Sequence, residues 1–128
     1  MNQNEQHILT LVAEILDCDP QDLSCSTYVI RELGAESIDL LEIGVGIQHH
    51  LGMSVDEDQM FLKNLRTLLV QAELAGQAPE AVVAKAYPHL SPERRAVLLA
   101  DMADGPALQL ADLIAYADWV QGQATARV

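Results

Sequence analysis

Apolar residues recur at helical spacing along most of the chain, and no segment alternates with the two-residue period of a half-buried strand. Residues 4–17 place Ile8, Leu11, Val12, Ile15 and Leu16 on one side of a helix. Asp19-Pro20 breaks it, because proline disfavours the α region in the residue before it. Over residues 18–35, Leu23, Tyr28, Val29, Ile30 and Leu33 are scattered among Ser, Asp, Thr and Gly. That pattern predicts a long ordered loop pinned by its apolar residues, with a helical turn near Pro20–Leu23. Periodicity returns over residues 37–51, with Gly52 as a stop. From Val55–Asp56 a helix is expected to run to about Ala75 and end at Gly76, with acids early and Lys63 and Arg66 later. Ala78–Tyr87 reads as a short helix closed by Pro88. Ser91-Pro92-Glu93 is a helix start, with Ser as cap and Pro at the first helical position. That helix runs to about Asp104, where Gly105-Pro106 stops it. A last helix, about Gln109–Val120, ends at Gly122 and leaves a frayed tail. The reading is all-α, with five or six helices and one long structured loop.

Composition agrees with that reading. Half of the 128 residues are apolar but only 4% are aromatic, so Leu, Ile, Val and Ala must fill the core. This suits packed helices better than a β-sandwich. The longest apolar runs are a handful of residues, so no membrane span is expected. The N-terminal residues have neither the basic nor the apolar stretch of a secretory signal. Cys18 and Cys25 are too few for a disulfide scaffold and suit a reducing cytosol.

Charge narrows the field further. The formal net charge is −12, from 19 acids and 7 bases, which argues against nucleic acid as a partner. Twelve acids and one base, Arg31, fall in residues 1–60; seven acids and six bases fall in 61–128. A surface that docks basic proteins is therefore expected in the first half. Acidity that only keeps a small domain soluble is the plain alternative.

The most informative segment is Leu33–Ile43, LGAESIDLLEI. It carries a serine at the start of an amphipathic helix, with acids two and five residues beyond it. A phosphodiester on Ser37 would sit beside unsatisfied backbone N–H groups and the positive end of the helix dipole. The same residues serve equally as a helix cap, with Glu36 or Ser37 in that role. The residues alone leave both open. A hydrolytic serine is disfavoured: Ser37 lacks a Gly-x-Ser-x-Gly elbow, and His7, His49, His50 and His89 show no triad pattern.

LGAESIDLLEI resembles the prosthetic-group attachment motif of acyl carrier proteins, whose usual core reads Gly-Ala-Asp-Ser-Leu-Asp. Residues 18–36, with Thr27-Tyr28-Val29 and Glu32-Leu33-Gly34, are similar to that family's long first loop. Gln48–Val55 resembles the end of its second helix and Asp56–Phe61 its short third helix. Leu110–Tyr116, LADLIAY, resembles its fourth. The resemblance covers about residues 4–61 and 107–120. It implies an acyl-carrier-like four-helix bundle over residues 1–61 and 107–122, a helical insertion over 62–106 packed on the same domain, and a flexible tail over 123–128.

The resemblance also implies a function. Ser37 would be the attachment point of 4′-phosphopantetheine, joined from coenzyme A by a phosphopantetheinyl transferase. The arm's thiol would hold acyl groups as thioesters, so the chemistry belongs to the cofactor and to partner enzymes, and the chain is not itself an enzyme. Glu36, Asp39 and Glu42 match acidic positions flanking the family's serine and would dock Arg or Lys of the transferase and of acyl-processing enzymes such as a ketosynthase, an acyl-activating enzyme or an acyltransferase. A solvated helix face is the plain alternative for Asp39 and Glu42. Ile38, Leu41, Gly44, Val45 and Gly46 would border the acyl pocket, the two glycines widening it; close helix packing is the rival for the glycines. The expected protein is a cytoplasmic monomeric carrier of a specialised fatty-acid, lipid or polyketide pathway. A peptidyl carrier, or a carrier-like interaction module without the prosthetic group, is the alternative.

Departures from the motif bear on these expectations. Glu36 and Ile38 stand where the family usually has Asp and Leu, a shift toward peptidyl carriers, which however usually have Gly-Gly at Gly34-Ala35. Gln48, His49 and His50 replace common glutamates. Adjacent histidines on a helix point about 100° apart and do not form a two-point metal site. The 62–106 segment balances five bases against five acids. It would enlarge the acyl pocket or form a private docking surface, with a dimer interface as rival.

Overall fold

The computed structural model describes residues 3–126, and seven α-helices account for most of them. These are α1 (Gln3–Ile15), α2 (Ser37–Leu51), α3 (Glu57–Met60), α4 (Leu65–Leu74), α5 (Pro79–Ala86), α6 (Pro92–Asp101) and α7 (Leu110–Ala126). Short 3-10 turns lie at Pro20–Asp22 and Met102–Asp104. No helix is long and apolar enough to cross a membrane among the described residues.

Helix α1 packs against both α2 and α7, and α3 touches α7. Its buried face is Ile8, Leu9, Val12 and Ala13. That face meets Leu40, Ile43 and Ile47 of α2 and Leu110, Leu113 and Ala117 of α7 in one contiguous core. Asn4 ties α1 to α7, its Nδ2 donating to Asp118 Oδ1 at 2.6 Å and Gln121 Oε1 at 2.8 Å. Helices α4, α5 and α6 pack successively, each on the next. Leu65, Val83, Tyr87, Leu90 and Leu98 carry the same core into that half.

The loop between α1 and α2 is ordered by backbone pairing as well as by burial. Leu23, Val29 and Ala35 are buried. Val29 N–H donates to Leu108 O at 3.0 Å, Leu110 N–H to Thr27 O at 3.0 Å and Ala111 N–H to Cys25 O at 2.8 Å. This short ladder fixes the loop to the start of α7. Arg31 extends the attachment to the end of α6. It pairs with Asp101 at 3.1 Å, donates to Gly105 O at 3.2 Å and lies over the Tyr28 ring. The Tyr28 hydroxyl donates to the same Asp101 carboxylate. Tyr28 and Arg31 together hold that carboxyl below the usual range.

Two expectations about the elements need correction. The helix expected from residue 55 to 75 is broken into α3 and α4. Met60, Phe61 and Leu62 are all buried, and three consecutive residues on one helix spread over about 200° of its circumference. A single straight helix would turn one of them to solvent. Leu62 instead takes a left-handed φ of 56°, costly for a bulky side chain, and the turn lets all three enter the core. The second correction is at the C-terminus. Gly122 does not end α7, which runs through Ala126. The tail expected over 123–128 is therefore helical as far as that residue; residues 127 and 128 lie outside the described residues.

Candidate functional site

The start of α2 is built by its own polar residues. Glu36 is the N-cap, and its backbone N–H donates to Asp39 Oδ2 at 2.8 Å. The Asp39 carboxylate therefore folds back over the helix start, where the positive end of the dipole favours it. Leu40 N–H donates to Glu36 O at 3.0 Å, the first helical bond. At the other end Gly52 takes the left-handed conformation, φ 61°, that closes a helix with little strain.

Ser37 is the first residue of α2. It is exposed, and its hydroxyl makes no hydrogen bond within the described residues. Glu36 and Asp39, not Ser37, perform the capping, so the hydroxyl is free of structural duty. A nucleophilic acceptor there is open to solvent, and a phosphate ester formed on it would meet the positive end of a 15-residue helix. The residues present fit a covalent phosphodiester.

The three acids expected to dock partners are not equivalent. Glu36 and Glu42 are exposed, whereas Asp39 is half-buried and engaged at the cap. The five residues expected to line an acyl pocket lie on different sides of α2, with Gly44 buried, Gly46 half-buried and the other three facing solvent. Ile38, Leu41 and Val45 are 57%, 45% and 53% exposed. At positions i, i+3 and i+7 they form an apolar stripe on the solvent face of α2, running away from Ser37. Helix α2 buries the other side, Leu40, Ile43, Gly44 and Ile47, against the core. The glycines serve close packing. A Cβ on Gly46 would come within 2.8 Å of the Leu11 side chain, and one on Gly44 within 3.3 Å of Glu57 Cγ.

A cavity of about 240 Å³ lies instead on the buried side of α2. Its walls include Leu40, Ile30, Phe61, Leu98 and Met102, with Lys63 and Arg66 beside them. None of these was singled out as a pocket residue by the sequence, because the wall is assembled from α2, the first loop and the ends of α3, α4 and α6.

Other reactive side chains have local explanations. His49 and His50 are exposed, their rings edge-to-face at 5.3 Å. Among the described residues no three His, Cys, Asp or Glu side chains gather as a metal site. Cys25 Sγ donates to Glu5 Oε1 at 2.6 Å, and that bond pushes its thiol up to about 11, so it stays protonated. His89 is buried beside Tyr87, Tyr116 and Trp119, and neither ring nitrogen has a partner.

Comparison with known families bears directly on this site. A family model described as phosphopantetheine attachment site matches residues 6–73, which is just over half of the chain. No solved structure matches the chain. The matched span runs unbroken from α1 through α4 and encloses Ser37. It thus includes residues 62–73, expected to belong to an insertion, while α7, which packs on α1 as α2 does, lies outside the span. With more than half of its length matched, and with an all-α fold, the chain belongs to the acyl carrier protein family, whose phosphopantetheine-attachment domain carries 4′-phosphopantetheine as a covalent prosthetic group.

Proposed function

We propose that the chain is an acyl carrier that holds acyl intermediates as thioesters on 4′-phosphopantetheine at Ser37. The observation that carries this reading is the exposed, unengaged hydroxyl of Ser37 at the first residue of α2, within the family-matched span. The prosthetic group supplies the thiol that holds the cargo. The chain's own residues do the rest. Glu36 and Asp39 fix the helix start, so the acceptor oxygen stands in one place relative to α2. The helix dipole favours the negative charge of the ester.

Partner recognition follows from the surface next to Ser37. The exposed Ile38, Leu41 and Val45 give an apolar contact, and Glu36 and Glu42 flank it with charge. A phosphopantetheinyl transferase and acyl-processing enzymes with basic surfaces fit that pattern. Exposed charge pairs are worth up to about 1 kcal/mol each and chiefly steer encounter, leaving the apolar stripe to hold the complex. Helix α7 completes the bundle by packing on α1, and α4–α6 are read as an addition between α3 and α7, with α4 itself inside the family-matched span.

The test is an intact mass after incubation with coenzyme A and a broad-specificity phosphopantetheinyl transferase. The expected result is a gain of one phosphopantetheine unit that Ser37→Ala abolishes. Modification that persists in Ser37→Ala would overturn the assignment. No gain with several transferases would favour a carrier fold that serves as an interaction module.

A further inference from the structure

The cavity behind α2 differs in charge from four other hollows of the surface. Lys63 and Arg66 are the charged residues on its walls, and no acid lines it. Four other hollows of the surface each carry an acid, Asp118, Glu14, Asp56, or Asp56 with Asp58. In a chain with 19 acids and 7 bases, a cation-only wall is the exception.

The two cations differ. Lys63 Nζ lies 3.8 Å from Glu57 and is partly neutralised. Arg66 is exposed at the cavity's rim and forms no ion pair among the described residues. It sits in the first turn of α4, where the helix dipole disfavours a positive charge, and that turn holds no acid to balance it. Helix stability therefore does not account for Arg66. Behind it the walls are apolar, with Leu40, Ile30, Phe61 and Met102 among them. Leu40 stands three residues after Ser37 on α2, a rise of about 4.5 Å.

We propose, building on the carrier reading above, that this cavity receives an acyl chain ending in a carboxylate, carried on the arm at Ser37, with Arg66 holding the carboxylate. The methylenes are buried against the apolar wall, which is the usual source of affinity in such a hollow. The guanidinium fork matches a carboxylate with two parallel hydrogen bonds. A plain alkyl chain would gain the first contribution and not the second. The cargo class is thus the half-thioester of a dicarboxylic acid.

The experiment compares two cargoes of equal carbon number. The chain is loaded with adipyl-coenzyme A or hexanoyl-coenzyme A by the transferase, and intact mass reports the loading. Thermal midpoints are then measured for the unloaded, arm-only, hexanoyl and adipyl forms. The adipyl form is expected to melt about 3 °C above the hexanoyl form, and Arg66→Gln to remove that difference while leaving the hexanoyl form unchanged. The proposal is overturned if hexanoyl protects as well as adipyl, if Arg66→Gln keeps the adipyl advantage, or if the arm-only form already shows the Arg66-dependent rise. That last result would assign Arg66 to the arm's phosphate. Absence of loading in the mass spectrum counts against the Ser37 reading alone. The cavity is then tested with untethered adipyl and hexanoyl thioesters of N-acetylcysteamine, titrated against the unmodified chain and followed by the amide signals of Leu40 and Arg66. Arg66-dependent preference for adipyl supports the proposal, and equal or absent binding overturns it.

Discussion

Arg94 grips Asp112 with both arms of its guanidinium: Nε donates to Oδ1 at 2.7 Å and Nη2 to Oδ2 at 2.9 Å. The carboxylate is 1% exposed. Asp112 Oδ2 also accepts from Gln109 N–H at 2.9 Å, and Arg94 Nη2 donates to Ala107 O at 2.7 Å. One buried ion pair thus joins the start of α6 to the start of α7 and sets the turn between them. Removing one partner from such a pair strands the other charge. Asp112→Ala is expected to lower unfolding stability by about 3 kcal/mol in urea titrations. Arg94→Leu combined with Asp112→Leu is expected to lose less than the two single substitutions added together. Additive losses would show that the pair acts as two independent contacts.

Asp39 and Glu42 flank the same serine, yet they should separate on substitution. Asp39→Ala removes the acceptor for the Glu36 N–H and is expected to cost about 1 kcal/mol of stability. Glu42 is exposed, so Glu42→Ala should change stability by less than about 0.5 kcal/mol. Its effect is expected on the rate of transferase modification, falling further at low ionic strength than at high. Denaturant melts and modification rates of both variants, measured side by side, check the division. Ser37→Ala should unfold like the parent, because the hydroxyl has no structural partner.

Burial lowers the His89 imidazole from its ordinary value of 6.5 to about 4, with Asp112 opposing the shift. The folded state therefore favours the neutral ring. The stability it contributes is fully present above pH 6.5 and is lost as the pH falls through the window from 6.5 to about 4. Replacing it with an aromatic that cannot titrate, His89→Phe, should flatten the fall in melting temperature over that window relative to the parent. Near-parallel curves for the two proteins would mean that His89 is not the group being protonated.

Gly122 lies inside α7, is exposed, and a Cβ there meets nothing within 4 Å. Gly122→Ala is expected to stabilise the fold by up to about 1 kcal/mol, since the helix propensity gain comes with no packing loss. Gly46→Ala should not share that gain, because its Cβ would press on Leu11. Melting temperatures of the two variants against the parent give the comparison.

Features with a local physical cause were legible in the sequence. Ser91 accepts from Arg94 N–H at 3.1 Å as the cap expected from Ser-Pro-Glu. Pro79 and Pro92 open helices, and Gly52 and Gly76 take positive φ where helices stop. The bounds of α2, its polar entry and the serine at its head need only residues 36–52. The all-α class needs only the recurrent spacing of apolar side chains. These depend on forces that act within one or two turns, so sequence order is enough to read them.

Features that depend on what lies opposite were not. Ile38, Leu41 and Val45 have the spacing of a core face, but α1 covers the other side of α2 and leaves them in solvent. The break at Leu62 answers to the shape of the core that Met60, Phe61 and Leu62 enter together. Arg94 and Asp112 are 18 residues apart, with no local pattern to pair them. The cavity beside Lys63 and Arg66 takes wall residues from α2, α4 and α6 and from the segments that connect the helices. The sequence by itself determined the helical class, the attachment motif and the acidic bias, because each is written in neighbouring residues. Only the tertiary structure decided which face of α2 meets solvent, where the cavity lies and which charges are paired. Burial and pairing belong to residues that folding brings together, and chain order does not record them.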